Sequence, residues 1–127
     1  MKKYLLVTGL LFISIFANAQ TIWTEETKLK GTIGKYDIFM TLAVPYGGAS
    51  RCLVIGKYHY GTNKKYIDLC SEEEGIIVER VNNKETGYFL IYDWNKSVGQ
   101  TVTGLWTSMD GRKQYAVKLK VVGKGQY

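Results

Sequence analysis

The sequence predicts an all-β protein, an antiparallel up-and-down meander of about eight strands that makes a closed or nearly closed small barrel. Three observations carry that expectation. One is a long hairpin pattern near the C-terminus, Gln100–Val122, with period-two alternation on both arms. Another is that no segment sustains apolar residues at i, i+3, i+4 and i+7, which leaves no helix longer than a turn or two. The last is a recurring glycine-x-aromatic unit, at Gly56-Lys57-Tyr58 and Gly104-Leu105-Trp106, with Gly87-Tyr88-Phe89 as a variant. Glycine within a strand lets a sheet bend sharply or lets a large ring lie over the backbone, and a curling meander needs this repeatedly. An open, strongly curved sheet or a two-sheet sandwich is the alternative.

The hairpin sets the standard for the other elements. Asp110-Gly111 is a strong signal for a two-residue type I′ turn, which needs positive φ at both central residues. Counting outward pairs Trp106 with Tyr115, Gly104 with Val117 and Val102 with Leu119. These share one almost wholly apolar face. Thr101, Thr103, Thr107, Gln114, Lys118 and Lys120 take the other, with Leu105 opposite Ala116 as the exception.

From the N-terminus, residues 1–19 read as an export signal rather than part of the fold. Lys2 and Lys3 form the positive start, Tyr4–Phe16 the apolar stretch, and Ala17-Asn18-Ala19 a cleavage site before Gln20. A membrane anchor would need about twenty apolar residues, and this run is shorter. Subtracting 19 from 127 leaves 108 residues, one domain spanning 20–127. The formal charge of +6 falls to +4 on losing the two lysines. With no second apolar run of spanning length, the expected product is a soluble chain in the periplasm or outside the cell, not inserted in a membrane. Its lysines are dispersed rather than gathered into a stripe, so nucleic acid is not an expected partner. Lysines on strand faces also discourage edge-to-edge aggregation.

Gln20–Thr27 is a polar lead-in; Lys28–Ile33 and Asp37–Val44 are the first two strands, with Ile38, Met40, Leu42 and Val44 on one face. Pro45-Tyr46-Gly47-Gly48 turns the chain. Arg51–Tyr60 and Lys65–Cys70 make a hairpin about Tyr60-Gly61-Thr62, with Ile55 opposite Ile67, Leu53 opposite Leu69 and Cys52 opposite Cys70. An even cysteine count in an exported chain favours a Cys52–Cys70 disulfide, with two free buried thiols as the competing reading. This register also opposes Lys57 to Lys65, which is unfavourable. Ile76–Val81 and Thr86–Tyr92 follow, joined at Asn82-Asn83-Lys84, and residues from about 123 read as a flexible polar tail. Met40, Leu42, Leu53, Ile55, Ile67, Leu69, Trp106 and Tyr115 are the expected inward set.

The segment Gly31–Leu42, with Gly56–Tyr60, Thr86–Phe89 and Gly104–Lys113, resembles small uncharacterised exported proteins of Bacteroidota over nearly all of the chain after the signal. The resemblance implies a signal-led β-meander and transfers no catalytic or binding residue. Gly-x-Trp is also similar to the motif of lipocalin and avidin barrels. There it lies near the start of the barrel, whereas Trp106 is on the penultimate strand, so the likeness is one of architecture.

Site chemistry is sparse. His59 is the sole histidine, and it has no evident orienting acid for nucleophilic catalysis and too few companions for a zinc site. Three glutamates at Glu72–Glu74 lack the alternating ligands of a calcium loop. No cofactor, metal site or catalytic residue is therefore expected, and an enzyme is disfavoured. The aromatic content remains. Tyr58, His59 and Tyr60, and Tyr92 and Trp94, run into loops, where such rings offer contact area at low entropic cost. They are the candidate binding residues. The expected function is non-catalytic binding of another protein, as in a periplasmic inhibitor or a toxin-immunity protein. The alternative is a carrier of a small apolar or glycan ligand in a lipocalin-like barrel.

Overall fold

The computed structural model describes residues 24–45 and 51–126, so the expected export signal, Trp23 and Tyr46-Gly47-Gly48 lie outside the described residues. Eight strands follow in order: β1 (Glu25–Ile33), β2 (Tyr36–Ala43), β3 (Val54–Tyr60), β4 (Ile67–Glu73), β5 (Ile76–Val81), β6 (Lys84–Leu90), β7 (Thr101–Ser108) and β8 (Gln114–Gln126). Each pairs antiparallel with the next, and β1 pairs with β8 to close the barrel. Closure leaves no unpaired edge.

The closing pair corrects two expectations. β1 begins in the supposed lead-in, and β8 runs to Gln126 through the supposed tail, with Lys28 opposite Gly123 and Glu25 opposite Gln126. The alternation of side chains fades there, but β1 offers a backbone ladder that Gly123 and Gly125 can follow without side-chain packing. A register shift at Lys28/Leu29 accommodates the change.

β7 and β8 adopt the expected register, with Trp106 opposite Tyr115, Gly104 opposite Val117 and Val102 opposite Leu119. The turn is a different one. Gly111 has φ 75° and Asp110 does not share a positive φ. Asp110 Oδ1 accepts from the Ser108 hydroxyl at 2.7 Å and from Arg112 N–H at 2.9 Å, while Ser108 N–H reaches Lys113 O at 2.9 Å. These bonds widen the loop about the same centre and leave the register intact. They also hold the Asp110 carboxyl below the usual carboxylate range, the Ser108 bond foremost. The two-residue turn with positive φ at both positions is instead Asn82-Asn83 (φ 53° and 64°), between β5 and β6.

The β3–β4 register is corrected by three residues. Ile55 pairs with Cys70, Lys57 with Asp68 and Tyr58 with Ile67. The slip exchanges the unfavourable Lys57–Lys65 opposition for one of opposite charges, and being odd it turns the β3 side chains, Leu53 and Ile55 included, to the other face while Ile67 and Leu69 of β4 stay inward. Val54, Gly56 and Tyr58 therefore point inward, and Leu53, expected inside, is exposed. The disulfide forms regardless: Leu53 N–H bonds Ser71 O as the chain bends, and Cys52 reaches Cys70 with a Cα–Cα distance of 5.3 Å.

The lumen is filled. Leu29, Met40, Leu42, Tyr58 and Phe89 have no accessible surface, and Tyr58 meets Phe89 edge-on at 5.3 Å. Room for tight coiling comes from glycines at inward positions: a Cβ on Gly104 would strike the Leu90 carbonyl, and one on Gly56 the Thr41 carbonyl. The end formed by the β2–β3, β4–β5 and β6–β7 connections is sealed by Trp94, which is buried in the core. There Asn95 Oδ1 accepts from Lys124 Nζ at 2.7 Å, tying the 91–100 loop to β8.

Replacing Cys52 and Cys70 with alanine, or reducing the bridge, should lower the unfolding free energy by about 3 kcal/mol from the loop-closure entropy of an 18-residue separation. Urea denaturation with and without reductant measures this. An unchanged midpoint would show that the bridge leaves the unfolded ensemble unconstrained.

Candidate functional site

Alternation along an antiparallel meander sends the β1–β2, β3–β4, β5–β6 and β7–β8 turns to the end opposite Trp94. At that end the strands present an open cup lined by Ile33, Tyr36, Tyr60, Trp106, Lys113 and Tyr115, with a volume of about 420 Å³. Tyr36 and Tyr60 meet edge-on at 6.2 Å, and Trp106 stacks on Tyr115 at 5.8 Å and 19°. Tyr36 is 50 % exposed, and Tyr60 and Tyr115 are 36 % and 37 % exposed. Glycines make space for two of these rings. Tyr115 lies against Gly34, whose φ is 58°, and the Trp106 ring lies on Gly87, where a Cβ would come within 2.7 Å of Cζ2.

Beneath the cup sits a buried carboxylate. Glu79 is on the inward side of β5, opposite Gly87 of β6, and is 5 % exposed. Its Oε1 accepts from Tyr58 Oη–H and from Trp106 Nε1–H, each at 2.6 Å, and its Oε2 accepts from Thr86 Oγ1–H at 2.6 Å. Tyr58 has one hydroxyl proton and gives it to Glu79. The 3.5 Å contact between the Tyr58 and Tyr60 hydroxyls then runs from Tyr60 as donor. A chain of groups thus leads from the cup surface through Tyr60 and Tyr58 to Glu79. No cation forms an ion pair with Glu79 among the described residues.

The phenols respond to this setting. Burial raises the Tyr58 pKa far above the ordinary phenol value of 10.0, with the Glu79 charge and hydrogen bond adding to it. Burial also raises Tyr60; its bond with Tyr58 opposes the shift, and the Glu79 charge reinforces it. Both phenols stay protonated donors across the physiological range.

The expected binding residues are dispersed by the fold. Tyr60 is in the cup. Tyr58 is inside the barrel, because the three-residue register slip turned it inward. His59 faces outward from the wall, stacked on Phe39 at 5.8 Å and met edge-on by Tyr66 at 5.1 Å. Tyr92 and Trp94 belong to the opposite end, Tyr92 lying exposed over Gly75 and Trp94 buried. Trp106 and Tyr115, assigned to the core by alternation, are half-buried and exposed respectively, because their positions fall at the last turn of the barrel where the lumen opens. Glu79 was missed. The signal for it was a carboxylate in phase with Ile77, an inward position of a strand that is apolar apart from Glu79 and the outward Arg80. Among the described residues no group of three or more His, Cys, Asp or Glu side chains is placed to hold a metal ion.

The chain matches no protein-family model, no curated protein and no solved structure.

Tyr58→Phe removes one donor from a buried carboxylate and should cost about 1–3 kcal/mol. The wild-type protein should also lose stability as pH rises above 10. The unfolded phenols ionise there while the folded Tyr58 and Tyr60, with raised values, hold their protons. Denaturant midpoints between pH 8 and 11 measure the slope, which Tyr58→Phe should flatten; an equal slope in both proteins would place the linkage elsewhere.

Proposed function

We propose that this chain is an exported, non-catalytic binding protein that engages another protein through the aromatic cup, in the manner of a periplasmic inhibitor or toxin-immunity protein. The observation that carries this is the contrast between lumen and mouth. A carrier's interior would leave ligand-accessible surface on its walls, and Leu29, Met40, Leu42, Tyr58 and Phe89 have none. What is offered to solvent is Tyr36, Tyr60, Tyr115 and the edge of Trp106, gathered on one rim.

Export is supported by the Cys52–Cys70 bridge, which persists in oxidising compartments, and by the signal pattern at residues 1–19. No described helix is long and apolar enough to cross a membrane. The outward face of the closing strands carries Lys28, Lys30, Lys118 and Lys120, whereas a membrane-spanning barrel needs an apolar outer band. Rings of this type, rigid and partly desolvated, are the residues that dominate protein–protein affinity.

The test is affinity capture from periplasmic extract of a bacterium that produces the protein, run in parallel with three baits. The wild type and Tyr92→Ala, altered at the far end, should retain the same partner; Tyr36→Ala/Tyr115→Ala should lose it by at least about tenfold, as expected for hot-spot rings. Equal recovery by all three baits, or recovery of no partner by any, would overturn the assignment.

A further inference from the structure

The cup joins two features that act in the same electrostatic sense. Its walls are aromatic rings, and the Tyr36 face, the negative pole of a ring quadrupole, is open to a cation: Lys35 Nζ lies over it at 5.7 Å. Its floor lies over a buried carboxylate that three uncharged donors satisfy and that no cation neutralises among the described residues. Hydrogen bonds from neutral groups disperse the Glu79 charge without cancelling it. In a poorly solvated interior that charge projects toward the nearest opening, and Trp106 and the Tyr58–Tyr60 pair place that opening at the cup.

We infer that the cup is a receptor for an organic cation, an alkylated ammonium or guanidinium group, presented by a side chain of the partner. The identity of the partner as a protein rests on the function proposed above, while the cation preference stands on the cup alone. An anion entering it would meet Glu79 across a medium of low dielectric. A neutral apolar group would gain contact with the rings but nothing from the charge. A compact, weakly hydrated cation gains from both, and desolvation against aromatic rings costs it least.

The chain's own lysines mark the same preference at the lip. Lys35 Nζ lies over the Tyr36 ring, 5.7 Å from its centroid, and Lys113 lines the cup edge. Both are exposed and on long stems, so an incoming cation can displace them. They compete with it as well as repel it. Removing Lys113 should therefore strengthen binding of a cation, weaken binding of an anion and leave a neutral ligand unchanged. The three ligand chemistries predict three different signs.

The experiment uses the disulfide-bonded chain without its first 19 residues, followed by amide NMR during titration with choline chloride and, separately, with 3,3-dimethyl-1-butanol, its uncharged isostere. Choline should shift the amides of residues 36, 60, 106 and 115 with millimolar affinity, and the isostere should bind at least about fivefold more weakly, as the charge term of a cation–π site implies. Lys113→Gln should tighten choline binding about two- to threefold. Glu79→Gln should weaken it by a similar factor while leaving the isostere unchanged. Because Glu79→Gln could disturb the buried network, the surface variant Lys113→Gln serves as the independent arm. Equal affinity for choline and isostere, tighter binding of the isostere, weaker choline binding in Lys113→Gln, or no choline shift at 50 mM by this titration would each overturn the inference. Partner capture by the wild-type bait, lost in the cup variant, would survive any of those results, so the two readings fail separately.

Discussion

The Glu79 carboxylate is the interaction on which the open end of the barrel depends. Three hydrogen bonds of 2.6 Å draw donors from β3, β6 and β7 onto one side chain of β5. Without them the interior near the mouth would hold a polar tyrosine hydroxyl and an indole N–H with no acceptor, each costly to bury. With them, Tyr58 can fill the lumen with its ring and still satisfy its oxygen. Trp106 is held by its nitrogen from below and by Gly87 and Tyr115 on its faces. The rim aromatics are thereby anchored to the core rather than to loops.

Glycine placement makes that geometry possible. Gly56, Gly87 and Gly104 recur with an aromatic two residues later (at Gly87 with a second, Tyr88, next to it), and each sits where a neighbouring carbonyl or ring occupies the space of a Cβ. The glycine-x-aromatic unit is therefore a packing device with one geometric purpose and two outcomes. At Gly56 the following ring, Tyr58, goes into the lumen. At Gly104 the following ring, Trp106, reaches the rim. The difference is height along the barrel, which the motif itself does not encode.

Much of the fold was legible because strand alternation and closure are local signals summed over many residues. The β7–β8 register survived a mistaken turn type because both turns share a centre between Asp110 and Gly111. The β3–β4 register did not survive, because Leu53-Val54-Ile55-Gly56-Lys57-Tyr58 alternates acceptably in either phase and the longer 61–66 loop carries no mark of its length. The like-charged Lys57–Lys65 pair was the warning, and Lys57 opposite Asp68 is its resolution. That single slip also explains why the site was harder to read than the fold. It sent Tyr58 inward and left Tyr60 as the one expected contact on the rim. Glu79 sat in Ile76–Val81 looking like an ordinary surface charge, and only a three-dimensional register could reveal Tyr58, Thr86 and Trp106 converging on it.

The distribution of rigidity bears on why the proposed recognition surface is the one at this end. The far end is closed by Trp94, braced by the Asn95–Lys124 bond. At the open end, three of the four connections are tight: Gly34-Lys35, Asn82-Asn83 and the side-chain-bonded loop at Asp110. The fourth, residues 61–66, is tied back by Gly61 N–H to Asp37 O at 2.9 Å and by Lys65 N–H to Asn63 Oδ1 at 3.1 Å. Tyr36, Tyr60 and Tyr115 lie in strands at the edges of those turns, not on their tips. A surface built this way loses little conformational freedom when it is covered, so more of each ring's contact energy is retained as affinity. A loop-borne site of the same composition would have to be ordered on every encounter. Here the barrel has already ordered it, and in the proposed reading the buried Glu79 charge would add direction to the adhesion of the aromatic walls.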